Sequence, residues 1–311
     1  MQVESIGSLW LWVGFGAFVV LMLALDLGVF HRRTHAVSIR EAAIWSVVWI
    51  ALALGFNAFV AIQWGPKLGV AFLTGYLIEK ALSVDNLFVF YAIFSVFAVP
   101  AAYQHKILFW GIVGALVLRA VMVFGGAALL RHVHWSIYVF GIILGATGAR
   151  MLMRPDAAPH PDKSRLYRWV TRVIPTTSGL HEGRFFAREG GALRATPLFL
   201  VLVLVELSDI VFAVDSVLAI FAISDDPFIV FTSNIFAVMG MRSLYFVLAN
   251  MATRFVYLQP GLALVMIFVG AKMALSHVVK VSVTVSLLVV ALLLGGSILA
   301  SLLKSRRTPA K

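Results

Sequence analysis

Two short stretches of the chain carry the same pattern of acids. Glu79-Lys80-Ala81-Leu82-Ser83-Val84-Asp85-Asn86 and Asp209-Ile210-Val211-Phe212-Ala213-Val214-Asp215-Ser216 each run acid, five residues ending in Val, Asp, then a small polar residue. Both lie in runs apolar enough to cross a bilayer, as do Asp26 and Glu206. An Asp at the centre of a spanning helix costs about 2.5–3.5 kcal/mol to insert, so an acid kept there is a functional-site candidate. Such a carboxylate binds a cation when ionised and a proton otherwise. One group can therefore couple two fluxes.

Helical geometry sorts the candidate ligands. Glu79 and Asp85 differ by about 120° around a helix and about 9 Å along it, so a straight helix cannot aim both at one ion. Glu79, Ser83 and Asn86 share a face, as do Asp209 and Ser216, with Glu206 one turn before Asp209. The acids then either line a common path at different depths or require each helix to unwind near Ser83–Asn86 and its counterpart, freeing carbonyls as ligands. Thr232, Ser233 and Asn234 open a later span, where they either add oxygens or cap the helix. Arg119 and Arg242 suit the role of counter-ions better than that of ligands. Lys80 is a neighbour of Glu79 in sequence but points about 100° away, and Asp26 has Arg32 and Arg33 within reach as partners.

All eight histidines fall in loops or at span ends, and there is no cysteine. The midplane set is therefore carboxylate, amide and hydroxyl oxygen, which suits Mg²⁺, Ca²⁺ or Mn²⁺ rather than Cu⁺ or Zn²⁺. Met239, Met241 and Met266 are read as packing. No GxxxxGK[ST] pattern is present, so nothing points to ATP as the energy source.

The elements that must position these residues are spans. At 61% hydrophobic and 13% charged, with mean hydropathy +0.98, the chain lacks the polar surface of a soluble globule. Apolar runs at about 9–30, 42–62, 69–98, 107–130, 136–152, 197–222, 228–249, 257–276 and 281–303 predict an all-α polytopic membrane protein of about nine transmembrane helices. No cleavable leader is expected, because Glu4 and no basic cluster precedes the first run. The formal charge of +11 is topological. Most of the 25 Lys and Arg fall in alternate loops and the tail, whereas the opposite loops hold only Lys67, Arg131 and Lys280. By the positive-inside rule the N-terminus is outside and the C-terminus cytoplasmic, and no nucleic-acid partner is expected.

An internal repeat underlies the spans. The paired acids recur 130 positions apart, Arg119 and Arg242 follow 123 apart, and Gly148-Ala149-Arg150-Met151 and Gly270-Ala271-Lys272-Met273 follow 122 apart. Three landmarks in the same order define a three-helix unit occurring twice, in spans 3–5 and 6–8. The charge-derived topology makes the two units inverted, with Asp85 opposite Asp215. The expected organisation is two N-terminal spans (1–68), a first repeat (69–152), a cytoplasmic linker (153–196), a second repeat (197–280), and a last span with a basic tail (281–311). In the linker, Leu166, Trp169, Val170 and Val173 oppose Arg165, Arg168 and Arg172, the pattern of an amphipathic surface helix. Gly190-Gly191 is placed to turn a short hairpin.

These residues resemble the TerC family, and its Alx-like branch in particular. Leu25-Asp26-Leu27-Gly28-Val29-Phe30 with the following His31-Arg32-Arg33-Thr34-His35 is similar to the family's first-span signature. Ser83 to Phe90, Ala195 to Asp215, and Asp226 to Asn234 running on to Arg242 are similar to its other landmarks. The resemblance covers nearly the whole chain. It implies a bacterial inner-membrane protein tied to tellurium resistance and manganese efflux, with Glu79, Asp85 and Asp215 serving the transport path. One departure is that Ser216-Val217-Leu218 stands where many members have Ser-Ile-Pro.

The reading is a secondary transporter, not an enzyme, exporting a hard divalent cation, manganese first, by proton exchange and with no resident cofactor. Glu79, Asp85, Asn86, Asp209, Asp215 and Ser216 are its candidate ligands, and Asp26, Glu206 and Asn234 are secondary ones. Two alternatives stay open. One is a tellurite or other anion-linked transporter using Arg119 and Arg242. The other is an intramembrane aspartyl protease built on Asp85 and Asp215.

Overall fold

The computed structural model describes residues 5–30, 37–125, 136–153 and 177–307, apart from 178, 180, 190, 222, 223, 225, 256, 276, 277, 279 and 280. Within the helices some residues, including Asp26, Asp215 and Ser216, are described by their backbone alone. The predicted amphipathic helix of the linker lies outside the described residues.

The chain is all-helical apart from one hairpin and a 3-10 turn, among the described residues. The helices are α1 (Leu9–Phe30), α2 (Ile39–Trp64), α3 (Pro66–Val96), α4 (Ala101–Gly125), α5 (Ser136–Met153), α6 (Pro197–Phe221), α7 (Pro227–Met239), α8 (Met241–Arg254), α9 (Leu258–Ala274) and α10 (Val283–Arg307). Ile39–Trp64, Ala101–Phe124, Pro227–Ala252 and Val285–Lys304 are long and apolar enough to span a membrane. The acid-bearing α3 and α6 have the length as well, 31 and 25 residues. Trp10, Ile62 and Leu292 are each more than 70% exposed, as suits side chains that face lipid. Helices satisfy their own backbone groups, which is what hydrocarbon demands.

Local chemistry sets the joints. Gly65, at φ 94°, turns α2 into α3, with Pro66 opening the new helix. Asp226 caps α7 by accepting from the amides of Phe228 and Ile229, and Pro227 follows it. The expected hairpin is present: β1 (Phe186–Glu189) pairs antiparallel with β2 (Ala192–Ala195), with Glu189 opposite Ala192. The 3-10 turn His181–Gly183 just before it docks on the start of α4, where the Lys106 ammonium donates to the Gly183 carbonyl at 2.8 Å.

The possible unwinding at Ser83–Asn86 does not occur: α3 is continuous from Pro66 to Val96 and α6 from Pro197 to Phe221. The interruption falls at Gly240, between α7 and α8. There the Lys80 ammonium donates to the carbonyl of Ala237 at 3.1 Å, the position in which a cation stabilises a helix C-terminus.

The packing is reciprocal. α3 packs on α7 while α6 packs on α4, and α5 lies against α9. A Cβ on Gly148 would come within 2.6 Å of the Ala263 carbonyl and 3.0 Å of Ile267, and one on Gly270 within 2.6 Å of the Gly141 carbonyl and 2.5 Å of the Gly145 amide. Shifted by the repeat offset, these are the same contact, so α5 and α9 cross antiparallel as a two-fold axis would arrange them. Glycine is needed at this crossing because the backbones touch.

Candidate intramembrane carboxylate site

α3 turns Glu79, Ser83 and Asn86 inward on one face, at spacings of four and three residues. α4 supplies Arg119, whose guanidinium lies 2.6 Å from Glu79 Oε1 and 3.7 Å from Asp209 Oδ1. From α6, Asp209 Oδ1 also accepts from Asn86 Nδ2 at 3.0 Å. From α7, Asn234 Oδ1 accepts from Arg119 while its Nδ2 donates to the Val230 carbonyl at 2.8 Å, which orients the amide. Thus the acid Glu79 and its repeat partner Asp209 are joined through one arginine. All six groups are buried, with at most 3% exposure.

One guanidinium balances two carboxylates here, so with both acids ionised the cluster keeps a negative charge. Its oxygens are also under-used. Glu79 Oε2, Ser83 Oγ, Asn86 Oδ1 and Asp209 Oδ2 are buried with no hydrogen-bond partner. Unsatisfied polar groups in the interior are costly; Arg119 Nε and Nη2 are buried without a hydrogen-bond partner as well, and the four oxygens on α3 and α6 are donors of the kind a hard cation takes. They do not make a finished metal cage: among the described residues no three Asp, Glu, His or Cys side chains group as metal ligands. Thr232 and Ser233, beside Asn234, turn their hydroxyls back to the carbonyls of Phe228 and Val230, at 2.7 and 3.1 Å. Capping belongs to Asp226 instead.

Asp85 takes a different direction. Its carboxylate accepts from the Lys272 ammonium of α9 at 2.8 Å, and that ammonium also donates to Ser286 Oγ of α10 at 3.1 Å. Lys272 figured in the sequence only as a repeat landmark. Glu206 packs its carboxylate into the space that Gly114 leaves on α4. The side chains of Asp26, Asp215 and Ser216 lie outside the described residues.

A small cavity of about 20 Å³, room for the centre of about one water, touches the cluster at Asp209. Phe90 of α3, Leu108 and Ile112 of α4, and Met241 and Arg242 of α8 form its walls.

The sequence pattern of the family described as "Integral membrane protein TerC family" matches residues 64–309. The chain is 54% identical over 305 residues to "Uncharacterized membrane protein STKORF319" of Myxococcus xanthus, covering 98% of this chain and 96% of that one. It is 46% identical over 299 residues to "Putative membrane-bound redox modulator Alx" of Escherichia coli K12, covering 92% of each. It is also 38% identical over 293 residues to "Uncharacterized membrane protein" of Rickettsia felis, covering 94% and 97%. No solved structure matches. With the family pattern covering all but the first spans and relatives matched almost end to end, the chain belongs to the TerC family of integral membrane proteins.

Proposed function

We propose that this protein is a secondary transporter that exports a hard divalent cation, manganese first, from the cytoplasm in exchange for protons, with its N-terminus outside the inner membrane. The observation that carries the reading is the group of four buried, unpartnered oxygens on Glu79, Ser83, Asn86 and Asp209. Carboxylate, amide and hydroxyl oxygens are the donors that hard cations take. Arg119 pairs with Glu79 and reaches towards Asp209, which leaves one negative charge over when both acids are ionised, and Lys272 pairs with Asp85. Binding a divalent ion would require the acids to loosen these tethered cations, and reprotonation would release the ion. The repeated architecture supports transport in particular, since inverted three-helix units around a midplane site are built for alternating access.

The redox role in the names of the relatives fits this reading through metal supply. With no cysteine, this chain has no thiol couple of its own.

The test is manganese content and tolerance in cells that lack other exporters, normalised to the amount of protein in the membrane. Cells carrying the protein should hold less manganese than the empty strain, and cells carrying Asp209→Asn should match the empty strain. Equal manganese with and without the wild-type protein would refute the proposal.

A further inference from the structure

A second, larger cavity of about 410 Å³ lies where α3 ends, α4 begins and α8 ends. Its walls include Tyr91, Phe94 and Ser95 of α3, Gln104 of α4, and Tyr245 and Asn250 of α8. Polar lining is neutral throughout: hydroxyls and amides, with no charged side chain. This is the face on which the turn His181–Gly183 before the hairpin docks through Lys106, the side that the charge distribution assigns to the cytoplasm.

The two cavities are stacked. On three separate helices, a residue of the large cavity lies one turn from a residue of the small one. The pairs are Phe94 and Phe90 on α3, Gln104 and Leu108 on α4, and Tyr245 and Met241 on α8. One turn is about 5–6 Å. The small cavity in turn reaches Asp209. On the wall of the large cavity, in the turn next to the small one, the Tyr245 hydroxyl donates to Gln104 Oε1 at 3.0 Å, and Gln104 Nε2 donates to the Val99 carbonyl at 3.0 Å. The Tyr245 ring meets Phe94 edge-on, with centroids 5.4 Å apart. The opposite face is sealed differently. Trp12 packs against Phe124, Phe228 and Phe231, and Ser5 and Ile6 are tied to the carboxylate of Asp226 at 2.9 and 2.8 Å.

We infer that the large cavity is a cytoplasmic entry site for a hydrated cation, shut off from the carboxylate cluster by one helical turn whose latch is the Tyr245–Gln104 hydrogen bond. The inference rests on the transport reading for its cargo and on geometry for its path. Neutral hydroxyls and amides can exchange with the waters of a hydrated ion without trapping it, leaving tight binding to the acids beyond. The interruption at Gly240 separates α8 from α7, so Met241, Arg242 and Tyr245 can swing together while Asn234 stays on Arg119.

Cysteine labelling tests this cleanly in a chain without native cysteine. Ser95→Cys samples the entry site and Leu108→Cys the inner cavity. In membrane vesicles of each orientation, a small charged thiol reagent should reach Ser95→Cys only from the cytoplasmic face and should label Leu108→Cys slowly. Adding Tyr245→Phe keeps the ring against Phe94 but removes the latch. It should speed labelling of Leu108→Cys about five- to tenfold, the change in open population that one net hydrogen bond represents, and leave Ser95→Cys unchanged. An unchanged Leu108→Cys rate, or labelling of Ser95→Cys from the outer face, would overturn the inference. Manganese flux through the same vesicles separates the two readings: labelling as described without flux keeps the entrance and removes the proposed cargo.

Discussion

Arg119 and Glu79 meet at 2.6 Å with 0% and 1% of their side chains exposed, and the same guanidinium reaches Asp209 from the other repeat. Three helices therefore converge on one buried charge. Removing one partner of such a pair strands the others in a medium that cannot solvate them, typically costing about 3–5 kcal/mol.

Arg119→Gln should accordingly lower the thermal midpoint of the purified protein by about 10 °C and reduce its amount in the membrane. Glu79→Gln combined with Arg119→Gln should recover much of that loss, because the pair leaves together. A melting series in detergent reads both. Additive losses in the double variant would show that the two groups do not act as a pair.

The antiparallel crossing of α5 and α9 predicts a sharp contrast between glycines. Gly270→Val drives a side chain into the Gly141–Gly145 backbone and should destabilise by about 1–3 kcal/mol or more. Gly295→Val on α10, where a Cβ meets nothing within 4 Å, should be close to neutral. The same melting assay decides it, and equal effects at the two positions would remove the close crossing.

Much of this was legible in the sequence, and the part that was not has a common cause. Apolar runs announced the helices, and Gly190-Gly191 announced the hairpin, because both signals are local. The shared face of Glu79, Ser83 and Asn86 followed from helical period alone. Across helices the sequence offered Arg119 as a counter-ion but not which acid it would meet. Lys80, next to Glu79 in sequence, points instead to Ala237 at the Gly240 interruption, and Arg119 in the following helix takes its place. Lys272 stood out only as the second copy of a Gly-Ala-basic-Met landmark, and its ion pair with Asp85 depends on how α9 packs against α3. The interruption at Gly240 carries no stronger local mark than one glycine in an apolar run, whereas the serine, aspartate and asparagine that suggested a break in α3 are held inside a regular helix.

The ion pair of Asp85 with Lys272 predicts a second contrast. Asp85→Asn takes the carboxylate from the Lys272 ammonium, which keeps its bond to Ser286, and should abolish manganese export while the protein still reaches the membrane, since the Lys272 side chain is 19% exposed and losing an intramembrane charge eases insertion. Asp215→Asn should do the same if the repeats share the work. Manganese tolerance per unit of membrane protein measures both. Normal tolerance with either variant would dismiss that aspartate as an essential ligand.

The assignment of the 153–196 linker to the cytoplasm is checked with His160→Cys. An impermeant thiol reagent added to intact cells should leave it unlabelled, and labelling should appear once the cells are opened. Labelling in intact cells would reverse the orientation and, with it, the direction of transport.

The most direct measurement is uptake of radioactive manganese by proteoliposomes holding the purified protein, with a proton gradient imposed and then collapsed. Wild-type protein should give gradient-driven accumulation with reduced competition from softer ions such as Cu⁺, and Glu79→Gln and Asp209→Asn should give rates no higher than those of protein-free vesicles. Wild-type vesicles that take up manganese no faster than empty ones, or variants that match the wild type, would contradict the claim that these buried carboxylates carry the ion.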